Sequence, residues 1–263
     1  MRKPSRNLVL SGLAITALAA CATSPLGRSQ LKLVSDSELN QLGATAFQET
    51  AKKTPVTSDG RTTAYVNCVA NAITREVGGT WEVKVFDSKD VNAFALPGGK
   101  IGVYTGLLAI TETPDQLAAV IGHEVAHVIA GHSNERVSQQ QVTSVGLTMA
   151  QVLVGGGVGG DTLMSALGAG AQYGVLLPFS RAHESEADLL GLDYMAKAGF
   201  DPRQAAALWR NMAKSGGQKP PEFASSHPSD ETRIRQIEGR LPQDVPVYVQ
   251  ALANGRRPDC KRV

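Results

Sequence analysis

A mainly helical α+β fold with one small sheet is what this 263-residue chain predicts. Three observations carry that expectation. Residues with helix-capping chemistry open apolar stretches of helical period at several points. Strand-like alternation is concentrated between Trp81 and Tyr104. Beyond it, only Val245 to Val249 suggests a further strand.

In chain order, Ser35-Asp36-Ser37-Glu38 forms a capping box and opens a helix to about Lys52. A second helix runs from about Arg61 to Val77. Trp81, Val83 and Val85 alternate as a strand, and Val91 to Leu96 then pairs with Lys100 to Tyr104 about the turn Pro97-Gly98-Gly99. Thr113-Pro114-Asp115-Gln116 gives the next helix an N-cap, a proline at its first position and a capping glutamine. Leu117, Val120, Ile121, Val125, Val128 and Ile129 repeat along it at helical spacing. From Val137 to Ser180 the only charge is Asp161, and glycines cluster at 155–157 and 159–160. They cut this stretch into pieces too short and too polar for a membrane span. Residues 137–180 therefore read as a helical hairpin on the core, or as a flap. Helical patterning returns from Ser180 to Lys197, stops at Gly199, and resumes over 203–214 and about 229–239.

The first twenty residues stand apart. Arg2, Lys3 and Arg6 precede an uncharged run from Leu8 to Ala20, the layout of a secretion signal. It ends in Leu18-Ala19-Ala20-Cys21, which resembles a bacterial lipobox, with Cys21 the lipidated residue. The expectation is a signal peptide over 1–20, a lipidated tether over 21–34 and one domain over 35–263. Ala22 after the cysteine leans toward the periplasmic side of the outer membrane. Removing 1–20 takes away three basic and no acidic residues, so the formal charge moves from +2 to about −1. No basic block remains to argue for nucleic acid. Of the three cysteines, Cys68 and Cys260 are left over. In an oxidising compartment they read as a disulfide, with two unpaired buried thiols as the alternative.

His123-Glu124-Val125-Ala126-His127 carries the chemistry. A four-residue step is nearly one helical turn, so both imidazoles leave the same face and can fill two corners of a tetrahedral zinc. Glu124 is one step round, placed to take a proton from an activated water rather than to ligate. The pattern predicts a zinc-dependent hydrolase of peptides. His132, five residues past His127, reads as a neighbour of the helix end at Gly131. Downstream, His183, Glu184, Glu186 and Asp188 offer a third ligand. Glu184 and Asp188 share a helix face, while Glu186 points elsewhere. Chemistry alone leaves His183 and Glu184 both open.

H-E-V-A-H, followed about fifty residues later by S-R-A-H-E-S-E-A-D-L-L-G, resembles the HtpX and CAAX-prenyl-protease family of zinc metallopeptidases. Val91-Asn92-Ala93-Phe94-Ala95, Pro97-Gly98-Gly99 and Ser226-His227-Pro228 match the same pattern, and the likeness spans roughly Leu39 to Arg240. Within the family the chain resembles soluble bacterial lipoprotein members of the LoiP type. The resemblance implies a zincin-like domain whose small sheet lies beside the zinc helix. It implies Glu184 as third ligand of one Zn2+ and Asp188 as the residue that orients a ligand histidine. Asn92, Ala93, Phe94 and Ala95 would form the edge on which an extended polypeptide substrate pairs. His227 would stabilise the oxyanion, with Arg233 assisting. Cleavage of misfolded envelope proteins follows as the expected role. A latent or chaperone-like protein that holds such chains, with envelope chaperone or protease partners, is the alternative.

Overall fold

The computed structural model describes residues 21–154, 180–215, 227 and 231–262. The signal-peptide assignment over 1–20 and the glycine-rich part of the hairpin or flap assignment lie outside the described residues. The chain divides into two compact units: residues 1–35 with 133–175, and 36–132 with 176–263.

In the first unit, β1 (Cys21–Thr23) pairs antiparallel with β2 (Ser29–Leu31). This hairpin lies within residues 21–34, the stretch expected to be the lipidated tether. The turn closes on itself, with Ser24 N–H donating to Arg28 O at 2.8 Å and Arg28 N–H donating to Ser24 Oγ at 3.0 Å. Its partners lie about a hundred residues away, on helix α5 (His132–Val154). Arg28 makes two 2.7 Å hydrogen bonds to the buried Glu135 carboxylate, and Gln30 adds a third at 3.1 Å. Ser138 Oγ accepts from Leu33 N–H, and Asn134 donates to Val34 O. Such bidentate pairing fixes geometry that no local pattern could announce.

The second unit holds the core. Helix α1 (Asp36–Lys53) falls where its capping box places it, and α2 (Gly60–Val77) covers the span expected of the second helix. Asp59 caps α2, accepting from Arg61 N–H at 3.1 Å and Thr62 Oγ1–H at 2.6 Å. Three strands follow: β3 (Glu82–Phe86), β4 (Ala93–Leu96) and β5 (Lys100–Tyr104). Their order is β3-β5-β4, with β3 parallel and β4 antiparallel to β5. Gly98 and Gly99 adopt φ of 83° and 68°, the left-handed region that the β4–β5 turn requires.

Next come the short α3 (Thr105–Leu108) and α4 (Pro114–Ile129), whose N-cap Thr113 accepts from Gln116 N–H. An amphipathic helix was expected, but α4 is buried on every side from Gln116 to His127. Helix α6 (Arg181–Ala198), α2, α7 (Arg203–Ser215) and β4 surround it. A helix enclosed in this way is the centre of a domain rather than its edge.

The C-terminal region departs most from expectation. In place of a helix to about 239 and a strand over 245–249, one helix α8 runs Glu231–Ala253 through Pro242 and Pro246. Its buried residues are Arg233 and then Ile237, Asp244 and Ala251, the last three recurring every seven positions, so one stripe faces its neighbours α6 and α7. That packing outweighs the lost amides and ring crowding of two prolines. Past α8, Cys260 is disulfide-bonded to Cys68 of α2. Among the described residues no helix is long and apolar enough to cross a membrane.

Candidate metal centre

Where α4 crosses α6, neither helix has a side chain. A Cβ on Gly122 would stand 3.0 Å from Gly191 O, and one on Gly191 would stand 2.9 Å from His123 N. Backbone-to-backbone contact of this kind brings the two helices close enough to share one site. His123, His127, Glu184 and His227 converge there, each buried, with one ligand atom apiece inside a 4.8 Å span.

The distances test whether zinc fits. His123 Nε2 lies 3.0 Å from His127 Nε2 and 3.2 Å from His227 Nδ1. The Glu184 oxygens stand 3.4 Å from each of the first two nitrogens and 3.0 Å from the third. Tetrahedral zinc with bonds of about 2.0–2.1 Å sets its ligand atoms about 3.3 Å apart. His123 Nδ1 faces Asp188 Oδ1 at 3.0 Å, and a carboxylate only accepts, so that nitrogen carries the proton. His123 Nε2 therefore presents a lone pair toward the other donors. A cluster of donor atoms so arranged suits a cation. Donor set and spacing both fit zinc.

Burial opposes charge on His123, yet Asp188 and Glu184 carry its pKa up to about 9. Without a metal, the surrounding carboxylates favour a second proton on His123, one that a bound cation would displace from Nε2. Burial and the neighbouring histidines hold His127 well below its ordinary value, leaving it neutral. Burial works against the Glu184 and Asp188 charges, but the histidines around Glu184, and Arg233 and His123 around Asp188, hold both carboxyls low. Glu124 behaves oppositely: burial dominates and pushes its carboxyl up. His227 Nε2 stands 3.4 Å from Glu124 Oε1, and no hydrogen bond reaches that oxygen among the described residues.

Several placements differ from the sequence reading. Arg233 does not face an open cleft; its guanidinium bonds both Asp188 oxygens at 2.7 Å and approaches Glu184 Oε2 at 2.7 Å. It also lies 4.2 Å over the Trp209 ring and donates to His227 O at 3.3 Å. His183 is no part of the ligand cluster and stacks on His132 instead. His227, expected near the oxyanion, lies within ligand range. His132 and Glu186, both set aside by spacing, are buried 3.1 Å apart beside His127. Their signal was chemical rather than positional, since a histidine and a glutamate near a zinc helix are costly to bury without partners.

Beside the site runs β4. Tyr104 N–H donates to Asn92 O, so Asn92, Phe94 and Leu96 bond to β5. By the alternation of an antiparallel ladder, the peptide groups of Ala93 and Ala95 face the opposite way. Among the described residues no strand pairs with that outer side. The Ala95 backbone interacts favourably with the Glu124 carboxyl, so this edge borders the pentad.

Comparison with known proteins agrees with this geometry. Residues 58–241 match Peptidase family M48. The chain is 41% identical over 189 residues to mitochondrial metalloendopeptidase OMA1 of Schizosaccharomyces pombe, covering 69% of this chain and 54% of the relative. It is 28% identical to metalloprotease LoiP of Escherichia coli, with 91% of each chain covered. To the beta-barrel assembly-enhancing protease of Yersinia pestis it is 29% identical, covering 73% of this chain and 41% of that one. The chain spans about half the length, or less, of the first mitochondrial relatives it matches. The matched residues contain both site helices and the edge strand beside them, and on that basis the chain belongs to peptidase family M48.

Proposed function

We propose that this chain is a zinc metalloendopeptidase acting on extended polypeptide. The observation that carries the proposal is the buried His123–His127–Glu184 donor set with Glu124 beside it. His123, His127 and Glu184 would hold one Zn2+, which when bound activates a water and polarises a peptide carbonyl. Glu124, buried and with its carboxyl pushed up, takes a proton from the attacking water and returns it to the leaving amine. Asp188 and Arg233 hold His123 and Glu184 in place. The outward peptide groups of Ala93 and Ala95 offer backbone pairing to substrate, which demands little of its sequence. Asn92 and Phe94 bond inward to β5 and keep that edge straight.

His227 has two positions to serve. Within ligand range it completes four protein donors, the closed count of a structural zinc site. For a bound Zn2+ to keep a place for water, His227 would have to leave this donor set, and it would then be free to donate to the oxyanion. The arrangement therefore favours a resting enzyme that opens on substrate. In the same reading the β4 edge can hold unfolded chains before cleavage, which accommodates the chaperone-like alternative.

Cys21 would carry the lipid and fix the enzyme on the periplasmic side of the outer membrane. The L-A-A-C sequence supports this reading. Misfolded envelope proteins are the substrate class this reading favours, and the beta-barrel assembly-enhancing protease of Yersinia pestis makes β-barrel proteins the first to try.

The test pairs wild type with Glu124→Gln. Both should bind one zinc, and only the wild type should cleave casein and an unfolded β-barrel protein. Removing a general base costs about 10²–10⁴ in rate, so undiminished cleavage by the variant would refute this mechanism. For the anchor, Cys21→Ala should release the protein from the membrane fraction; continued sedimentation with membranes would rule out lipidation at Cys21.

A further inference from the structure

The two ligand histidines of α4 are held by different devices. His123 donates from Nδ1 to Asp188, a carboxylate that Arg233 fixes in turn. His127 is approached at Nδ1 by another ring, the imidazole of His132, whose Nδ1 lies 2.9 Å away. The far nitrogen of that ring, Nε2, lies 3.1 Å from Glu186 Oε2. His132 is fully buried and its ring stacks on His183, centroids 4.4 Å apart. Gly131, at φ 69°, turns the chain at the end of α4 and returns His132 against the helix it has just left.

Two Nδ1 atoms at 2.9 Å share one proton. To ligate a metal, His127 must keep its Nε2 lone pair free and so carry its proton at Nδ1. His132 must then accept at Nδ1 and carry its own proton at Nε2. Glu186 is placed to receive that proton's hydrogen bond. With His127 ligating through Nε2, each donor of this chain meets an acceptor.

We infer that His132, oriented by Glu186, is a positioning residue that sets the tautomer and ring angle of His127 for metal binding. The inference rests on the reading of His127 as a zinc ligand. The site then has two parallel supports, Arg233–Asp188–His123 and Glu186–His132–His127. In the second an imidazole, rather than a carboxylate, meets the ligand histidine, and the carboxylate of Glu186 stands one ring further out.

The experiment measures zinc affinity of the purified full chain by chelator competition, with the visible spectrum of the cobalt-substituted protein as a readout of ligand geometry. Loss of an outer partner typically weakens metal binding about 10–100-fold. His132→Leu should fall in that range while keeping its circular dichroism, and its cobalt spectrum should change. His132→Gln should recover most of the loss, because the amide oxygen can accept from His127 and the amide N–H can reach Glu186. A folded His132→Leu with wild-type affinity and an unaltered spectrum overturns the inference. Should His132→Leu fail to fold, the nearly isosteric Glu186→Gln decides, with weakening of about tenfold expected and unchanged affinity overturning it. A wild-type chain that binds no zinc would fail earlier, bringing down the metal-centre reading itself.

Discussion

Helix α4 and the C-terminal elements contribute to the same site in opposite ways. Five consecutive residues of α4 carry two ligands and the base, and their spacing on one helix does most of the work. Glu184, Glu186, Asp188, His227 and Arg233 come from α6, α8 and the segment between α7 and α8. None of these has meaning until the helices are packed. The first contribution is local and the second is contingent on tertiary structure, so perturbations away from α4 should separate them.

The largest effect is expected at Arg233. Replacement by methionine removes the cation shared by Asp188 and Glu184, which remain buried. Breaking a buried pair from one side costs about 3–5 kcal/mol. Chemical denaturation should show a greater loss in the metal-free protein than in the zinc-loaded one, because zinc itself neutralises Glu184. Lysine should not rescue, since it cannot reproduce the guanidinium fork on Asp188. Equal losses with and without zinc would mean that Arg233 supports the fold rather than the site.

The disulfide should matter less, and only to stability. Cys68 and Cys260 are 192 residues apart, and the tail they secure also places Arg262 against the Thr111 and Leu108 carbonyls ahead of α4. Paired Cys68→Ser and Cys260→Ser replacements should lower stability by about 2–4 kcal/mol. Zinc affinity and cleavage at low temperature should stay at wild-type level. A drop in zinc affinity equal to that of Arg233→Met would show that the tail is coupled to the site.

The same division explains what the sequence made legible. Capping chemistry at Ser35 and Thr113, the glycine turn at 98–99 and the i, i+4 histidines depend on neighbours within a few residues, and they read directly. The N-terminal hairpin did not, because the partners of Arg28 and Gln30 sit on Glu135. Helix α8 was obscured by its own signals: valines at 245, 247 and 249 alternate like a strand, and two prolines argue for a break. Only the buried seven-residue repeat of Ile237, Asp244 and Ala251 marks the helix, and its middle member is polar. His132 misled by position, because a helix continued past Gly131 would have carried it to another face. Glu184 needed the family resemblance to be chosen over His183, and packing shows why: the α4–α6 crossing turns Glu184 toward the ligands and leaves His183 stacked on His132.

That crossing gives the smallest expected effect and the sharpest sign. In an ordinary helix interior, glycine to alanine stabilises by about 1 kcal/mol. At Gly191 the added Cβ would meet His123 N at 2.9 Å, Gly122 C at 3.0 Å and His123 Cα at 3.1 Å, all of them backbone. The helices must then separate, at a cost of about 1–3 kcal/mol for overpacking. Local and tertiary reasoning therefore predict opposite signs for one methyl group. Gly191→Ala should lower the melting temperature by about 2–4 °C per kcal/mol lost, and it should weaken zinc binding because the atoms displaced belong to His123. Gly122→Ala, whose Cβ would meet Gly191 O at 3.0 Å, should act in the same direction more mildly. A melting temperature that rose in Gly191→Ala would mean that helix propensity wins at the crossing, and the contribution of α6 would then be less contingent on packing than that of Arg233.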